Sequence, residues 1–373
     1  MVKIKQERVR IAKSKNLTYD LRSPDQFYLE EKKKDKSLEP KFLYAKTFNS
    51  FKTFKEAKKN NSIIPFRGPI NKKSISCAED LIYRLYENDK YGFKNSNEIY
   101  NKKINSFLLG DSYAEGLCVL RDEDIAGNLN KKNINTVNFG VTGTGPLISL
   151  AILKEFGKHL KPKNIIYLYF EGNDLEDLKF EKNEKNLLKY LDTDHSVNYI
   201  DKYEEISSFL EKAKIESEQK LTGIKDFQNN KIEDDIKENI KAHLKDIAEL
   251  NNLKNILRYS ILKQQEENYD FELFYSVIKK MDFHAKDLKA KYYFVYVPSW
   301  SRYFTKYTNV DALINLKDKI IKDLKKENIE IIDLTEFFDK TEDIKQYYPL
   351  GYVGHFNAKG YAKISDIIAN KLR

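Results

Sequence analysis

From residue 104 onward the chain alternates short, almost uninterrupted apolar runs with segments of helical spacing. The runs cover residues 104–109, 136–139, 164–170, 292–297 and 329–334. A strand with one wet face alternates apolar and polar residues, whereas a continuous apolar run must be covered on both faces. Between the runs, residues 114–129, 146–160 and 358–372 carry helical periodicity, with Ile364, Ile367, Ile368 and Leu372 on one face of the last segment. The pattern predicts an α/β fold: a three-layer sandwich with a five-stranded, mainly parallel sheet.

The 373 residues, 41% of them apolar, supply a core without staples. The formal charge of +9 raises the question of nucleic acid. Only nine basic residues are Arg, however, and bidentate base and phosphate readers favour Arg, so no nucleic-acid partner is expected. No stretch approaches the roughly 18 apolar residues of a membrane span, and residues 1–31 lack the apolar core of a signal peptide. Oligomeric state leaves no mark.

Residues 1–103 read as an N-terminal extension, with short helices near 6–15 and 51–59 and then turn signals at Pro65, Gly68, Pro69 and Gly92. Residues 104–373 form the α/β domain. A helical insertion is expected at about 176–288, where Ile232, Ile236, Ile240, Leu244, Ile247 and Leu250 make one apolar stripe.

In such a sheet, functional groups gather beyond the carboxyl ends of the strands. The first run ends in Gly110-Asp111-Ser112, which places a hydroxyl on a tight turn opening a helix. The second ends in a turn with Gly140, Gly143 and Gly145, whose uncovered N–H groups suit an oxyanion or a phosphate. No Gly-Lys-Ser/Thr follows, which disfavours a nucleotide. The third ends in Glu171-Gly172-Asn173-Asp174, where Asn173 offers a side-chain amide. His355 stands just before the last helix and is the candidate base. The other histidines have no ligand-like spacing, so neither metal nor cofactor is expected.

These four segments, in this order, resemble the conserved blocks of the SGNH (GDSL) hydrolase family, and the likeness spans about residues 104–372. It implies a flavodoxin-like three-layer domain and a serine esterase or acyltransferase. Ser112 matches the nucleophile and His355 the base, while the Ser112 and Gly143 backbone and the Asn173 amide match the oxyanion hole. The acyl substrate implied is an acylated carbohydrate or another small ester. Alternatives are an O-acetyltransferase of an envelope polysaccharide and a non-catalytic binding protein on the same fold. Trp300 and Arg302, after the fourth run, are candidate sugar contacts. One block departs from the family pattern: Tyr352 stands three residues before the His, where an Asp is usual. The candidates for orienting the imidazole are then a main-chain carbonyl near Tyr352, or Asp333. Family members with a lead-in like residues 89–93 are typically exported and anchored. That implies a periplasmic or envelope setting, with the cytoplasm as alternative, and a Cys77–Cys118 disulfide in place of two buried thiols.

Overall fold

The computed structural model describes residues 2–40, 52–59, 65–229, 269–304 and 310–373; the stripe from Ile232 to Leu250 lies outside them. In the extension, helices α1 (Val2–Ser14) and α2 (Pro24–Lys34) precede a small sheet of β1 (Leu38–Glu39), β2 (Lys73–Ile75) and β3 (Leu85–Glu87). Ser23 and Gln26 close a reciprocal capping box at the start of α2. Strand β2 pairs parallel to β1 and antiparallel to β3, so residues 76–84 are the loop of a hairpin.

The larger sheet contains β4 (Ser106–Gly110), β5 (Thr136–Asn138), β6 (Asn164–Phe170), β7 (Lys291–Val297) and β8 (Glu330–Asp333). They run in the order β5-β4-β6-β7-β8, and every neighbouring pair is parallel. Besides short turns of helix at Lys185–Leu188, Ser301–Phe304 and Thr335–Phe338, its helices in chain order are α3 (Ser112–Glu115), α4 (Ile125–Lys131), α5 (Pro146–Leu160), α6 (Asp174–Glu181), α7 (Tyr203–Asn229), α8 (Phe271–Asp287), α9 (Val310–Lys326) and α10 (Ala358–Leu372).

The period-two geometry of strands divides the apolar runs between two cores. Phe107, Leu109, Ile165, Tyr167, Tyr169, Phe294 and Tyr296 pack with residues of α5 and α8. Leu108, Ile166, Leu168, Phe170, Tyr293, Val295 and Val297 pack with α4 and α10. Both faces are dry, so the strands read as unbroken apolar runs. The helix expected over 114–129 is instead two pieces. Gly116 ends α3 in the left-handed region (φ 71°), and a Cβ there would lie 2.2 Å from the Asp124 Cβ. Among the described residues, no helix is long and apolar enough to cross a membrane.

The strand order reverses between β4 and β6, because the chain goes from β4 outward to β5 and then returns past β4 to β6. The crevice at that switch point, beyond the carboxyl ends, is where a doubly wound sheet offers a site. Gly110 and Phe170 end those two strands, and Ser112 and Asn173 follow them directly.

Candidate active site

Ser112 is the first residue of α3, where an amide has no partner within the helix. Asp111 caps that helix by accepting the Tyr113 N–H at 2.8 Å, with its other oxygen 3.3 Å from Ser112 Oγ. Ser112 Oγ lies 2.9 Å from His355 Nε2. With the imidazole proton on Nδ1, the hydroxyl donates to Nε2, which is the geometry of a nucleophile and its base. The Tyr113 ring stacks on Phe170 with centroids 3.8 Å apart and lies 4.8 Å from the His355 ring, walling the pair on one side.

At Nδ1 stands Glu79, from the β2–β3 loop of the extension. Its Oε1 is 3.2 Å from Nδ1, and its Oε2 accepts the His355 backbone N–H at 2.6 Å. The Nδ1 contact is poorly aligned for a hydrogen bond, so the His355 backbone bond is what holds the carboxylate there. Arg8, from α1, lies 3.3 Å from the same carboxylate and donates to the Val353 carbonyl at 2.8 Å. Burial alone would raise the Glu79 carboxyl; the charge His355 carries when protonated, its backbone N–H and Arg8 outweigh it and bring it down to about 2.

Glu79 thus fills the place assigned to a Tyr352 carbonyl or to Asp333. The carbonyls that follow Tyr352 are engaged elsewhere, Val353 accepting from Arg8 at 2.8 Å and Gly354 from the Tyr113 hydroxyl at 3.3 Å, and Asp333 accepts from Thr335 and pairs with Lys317 at 3.4 Å, so its carboxylate is committed to the end of β8.

The Gly-rich turn is reached from α3. Glu115 accepts the Thr142 N–H at 2.8 Å and the Thr142 hydroxyl, fastening the residue before Gly143 to the helix that Ser112 opens. Gly143 adopts φ 76°, a conformation that favours glycine. The amides at the start of α5 are already taken: Glu181 accepts from Gly145 at 2.6 Å and from Leu147 at 2.9 Å. That carboxylate occupies the place where a phosphate would sit. Asn173 donates Nδ2 to Asp177 at 2.7 Å, and its side chain, with His355, pulls against the burial that pushes the Asp111 carboxyl up.

Cys77 and Cys118 are joined, with Cα atoms 4.8 Å apart. Cys77, Glu79, Cys118 and His355 bring possible ligand atoms within 4.8 Å of one another, but the sulfurs are bonded together, leaving two donors where zinc takes three or four. Arg302 departs from its expected role as a sugar contact. It is buried in an ion pair with Glu171 at 2.6 Å, and the same carboxylate accepts from Tyr296 and the Ser299 N–H. Trp300 is half-buried against the core that contains Phe170 and Tyr113.

Sequence reasoning missed Glu79, Arg8, Glu115 and Asp177. A signal for the first was present: Glu79 is two residues from Cys77, and a bridge to Cys118 carries it toward Ser112.

No family model matches the chain, and no curated protein does. Solved structures similar to it include a protein assigned to the G-D-S-L lipolytic family from Desulfitobacterium hafniense, at 10% identity and TM-score 0.40 over 71% of this chain and 98% of that one. A structure of TesA shares 11% identity at TM-score 0.36, covering 72% and 98%. A GDSL-like lipase from Bacteroides thetaiotaomicron shares 12% at 0.36, covering 73% and 89%.

Proposed function

We propose that this chain is a serine ester hydrolase of the SGNH type, and the observation that carries the reading is the run Ser112 Oγ to His355 Nε2 to Nδ1 to Glu79. His355 takes the Ser112 proton as Oγ attacks an acyl carbonyl. The carbonyl π electrons move to oxygen, and the resulting oxyanion is met by the Ser112 and Gly143 amides and the Asn173 side chain. Collapse expels the alcohol, which receives the proton from His355. Water, deprotonated by the same imidazole, then releases the acid from the acyl-enzyme. Glu79 holds the Nδ1 tautomer and stabilises the imidazolium that forms in both steps.

Ser112 is only 7% exposed, and the stacked Tyr113 and Phe170 rings close one side of it. Narrow access suits a short acyl group such as acetyl, carried on a sugar or another small alcohol. Hydrolysis of p-nitrophenyl acetate tests the reading. Ser112→Ala and His355→Ala are each expected to lose at least about a thousandfold in kcat/KM, and the octanoate is expected to be the poorer substrate. Turnover that survives both substitutions removes the assignment.

A further inference from the structure

We propose that the Cys77–Cys118 disulfide and Arg8 are positioning groups that hold Glu79 against His355, so that the strength of the site depends on the oxidation state of one bond. The proposal rests on the hydrolase reading above.

Glu79 belongs to neither helix nor strand. It sits in the hairpin loop 76–84, outside the α/β domain that carries Ser112 and His355. A carboxylate on such a loop meets an imidazole only if the loop is ordered, and ordering costs conformational entropy. Five restraints act on it. The Ser76 N–H bonds the Arg84 carbonyl at 2.7 Å and closes the loop base. The Asp20 N–H bonds the Leu81 carbonyl at 2.8 Å, and Tyr19 donates to the Ala78 carbonyl, fixing the outer side. Arg8 bridges Glu79 and Val353 from α1. The disulfide, two residues before Glu79, is the covalent one.

Its other end is close to the nucleophile. Cys118 follows α3 at φ 72° and donates its N–H to Ser76 Oγ at 2.8 Å, so the bridge and this bond seat the loop beside the helix that Ser112 opens. Gly354 completes the fit: a Cβ there would lie 2.5 Å from Glu79 Oε2 and 2.8 Å from Arg8 Nη2. The acid therefore reaches the base through contacts that converge on one loop, and the disulfide is the only one a thiol reagent can undo.

A dithiol supplies two electrons and two protons, leaving two cysteine thiols and becoming a cyclic disulfide itself. The test compares kcat and KM on p-nitrophenyl acetate before and after dithiothreitol, in wild type and in Glu79→Gln. Reduction is expected to lower wild-type kcat at least about tenfold, part of what loss of an orienting acid costs, with KM changed less than about twofold. Glu79→Gln, already slow, should lose less than about twofold more. The Cys77→Ser/Cys118→Ser double variant should match reduced wild type. A second readout needs no turnover: the His355 amide proton, donated over 2.6 Å to Glu79, should resonate far downfield and move upfield on reduction. Equal losses in wild type and Glu79→Gln, or a reduced protein with unchanged kcat and amide shift, overturn the proposal. Absence of Ser112-dependent turnover in the oxidised protein removes the hydrolase reading instead, and the amide signal still decides whether the bridge holds Glu79.

Discussion

The carboxylate that meets His355 comes from 276 residues upstream, and that separation explains why the block around the His looks incomplete. A carboxylate three residues away is visible in a sequence; one delivered by another segment is visible only through what tethers it. Glu79→Gln keeps the shape and removes the charge, so kcat is expected to fall about a hundredfold to ten-thousandfold with little change in KM, while Glu79→Asp recovers part of the loss. The same residue sets an acid limb of stability. Its folded pKa of about 2 lies below its ordinary value of 4.5, so its contribution is complete above pH 4.5 and is lost as pH falls toward 2. Thermal melts from pH 5 to 2 should therefore slope less steeply in Glu79→Gln than in wild type.

The Gly-rich turn and α3 act as one unit, because Gly140 packs against the backbone of α3 and Glu115 ties down Thr142. A Cβ on Gly140 would lie 2.1 Å from the Glu115 nitrogen, and backbone cannot yield as a flexible side chain does. Gly140→Ala is expected to cost about 1–3 kcal/mol in urea unfolding and to weaken turnover by moving Gly143. Glu181, which ends α6 and caps the start of α5 with its carboxylate, works in the opposite pH direction from Glu79. Burial raises it to about 7 against the pull of three backbone N–H groups. Its folded state holds a proton that the unfolded chain releases near pH 4.5, so stability should fall as pH rises from about 4.5 to 7. Differential scanning calorimetry on Glu181→Gln should show that part of the decline removed. The segment 164–170 was legible as a strand because both its faces are dry. The break at Gly116 was not, because it depends on how closely Asp124 approaches, and no local pattern records that.

The molecule as a whole joins an α/β domain that carries Ser112 and His355 to an extension that carries Glu79. The five parallel strands and the clustering of Ser112, Gly143 and Asn173 beyond their ends follow from apolar runs and the residues that stop them. Placement of the extension does not, because it rests on contacts such as Arg8 with the Val353 carbonyl and Asn95 with Asn138, where two side-chain bonds extend the sheet at the edge strand β5. The bridge with sequence separation 41 ties the two parts and should stabilise the fold by about 3–4 kcal/mol in the chain-entropy model, read as the shift in urea midpoint on reduction. An activated Ser112 would be modified covalently by a fluorophosphonate, which intact-mass analysis reads as an adduct. Wild type should gain one adduct, mapped to the peptide containing Ser112, Glu79→Gln should gain it more slowly, and Ser112→Ala should gain none. Equal labelling of wild type and Ser112→Ala, or labelling of neither, would contradict the account.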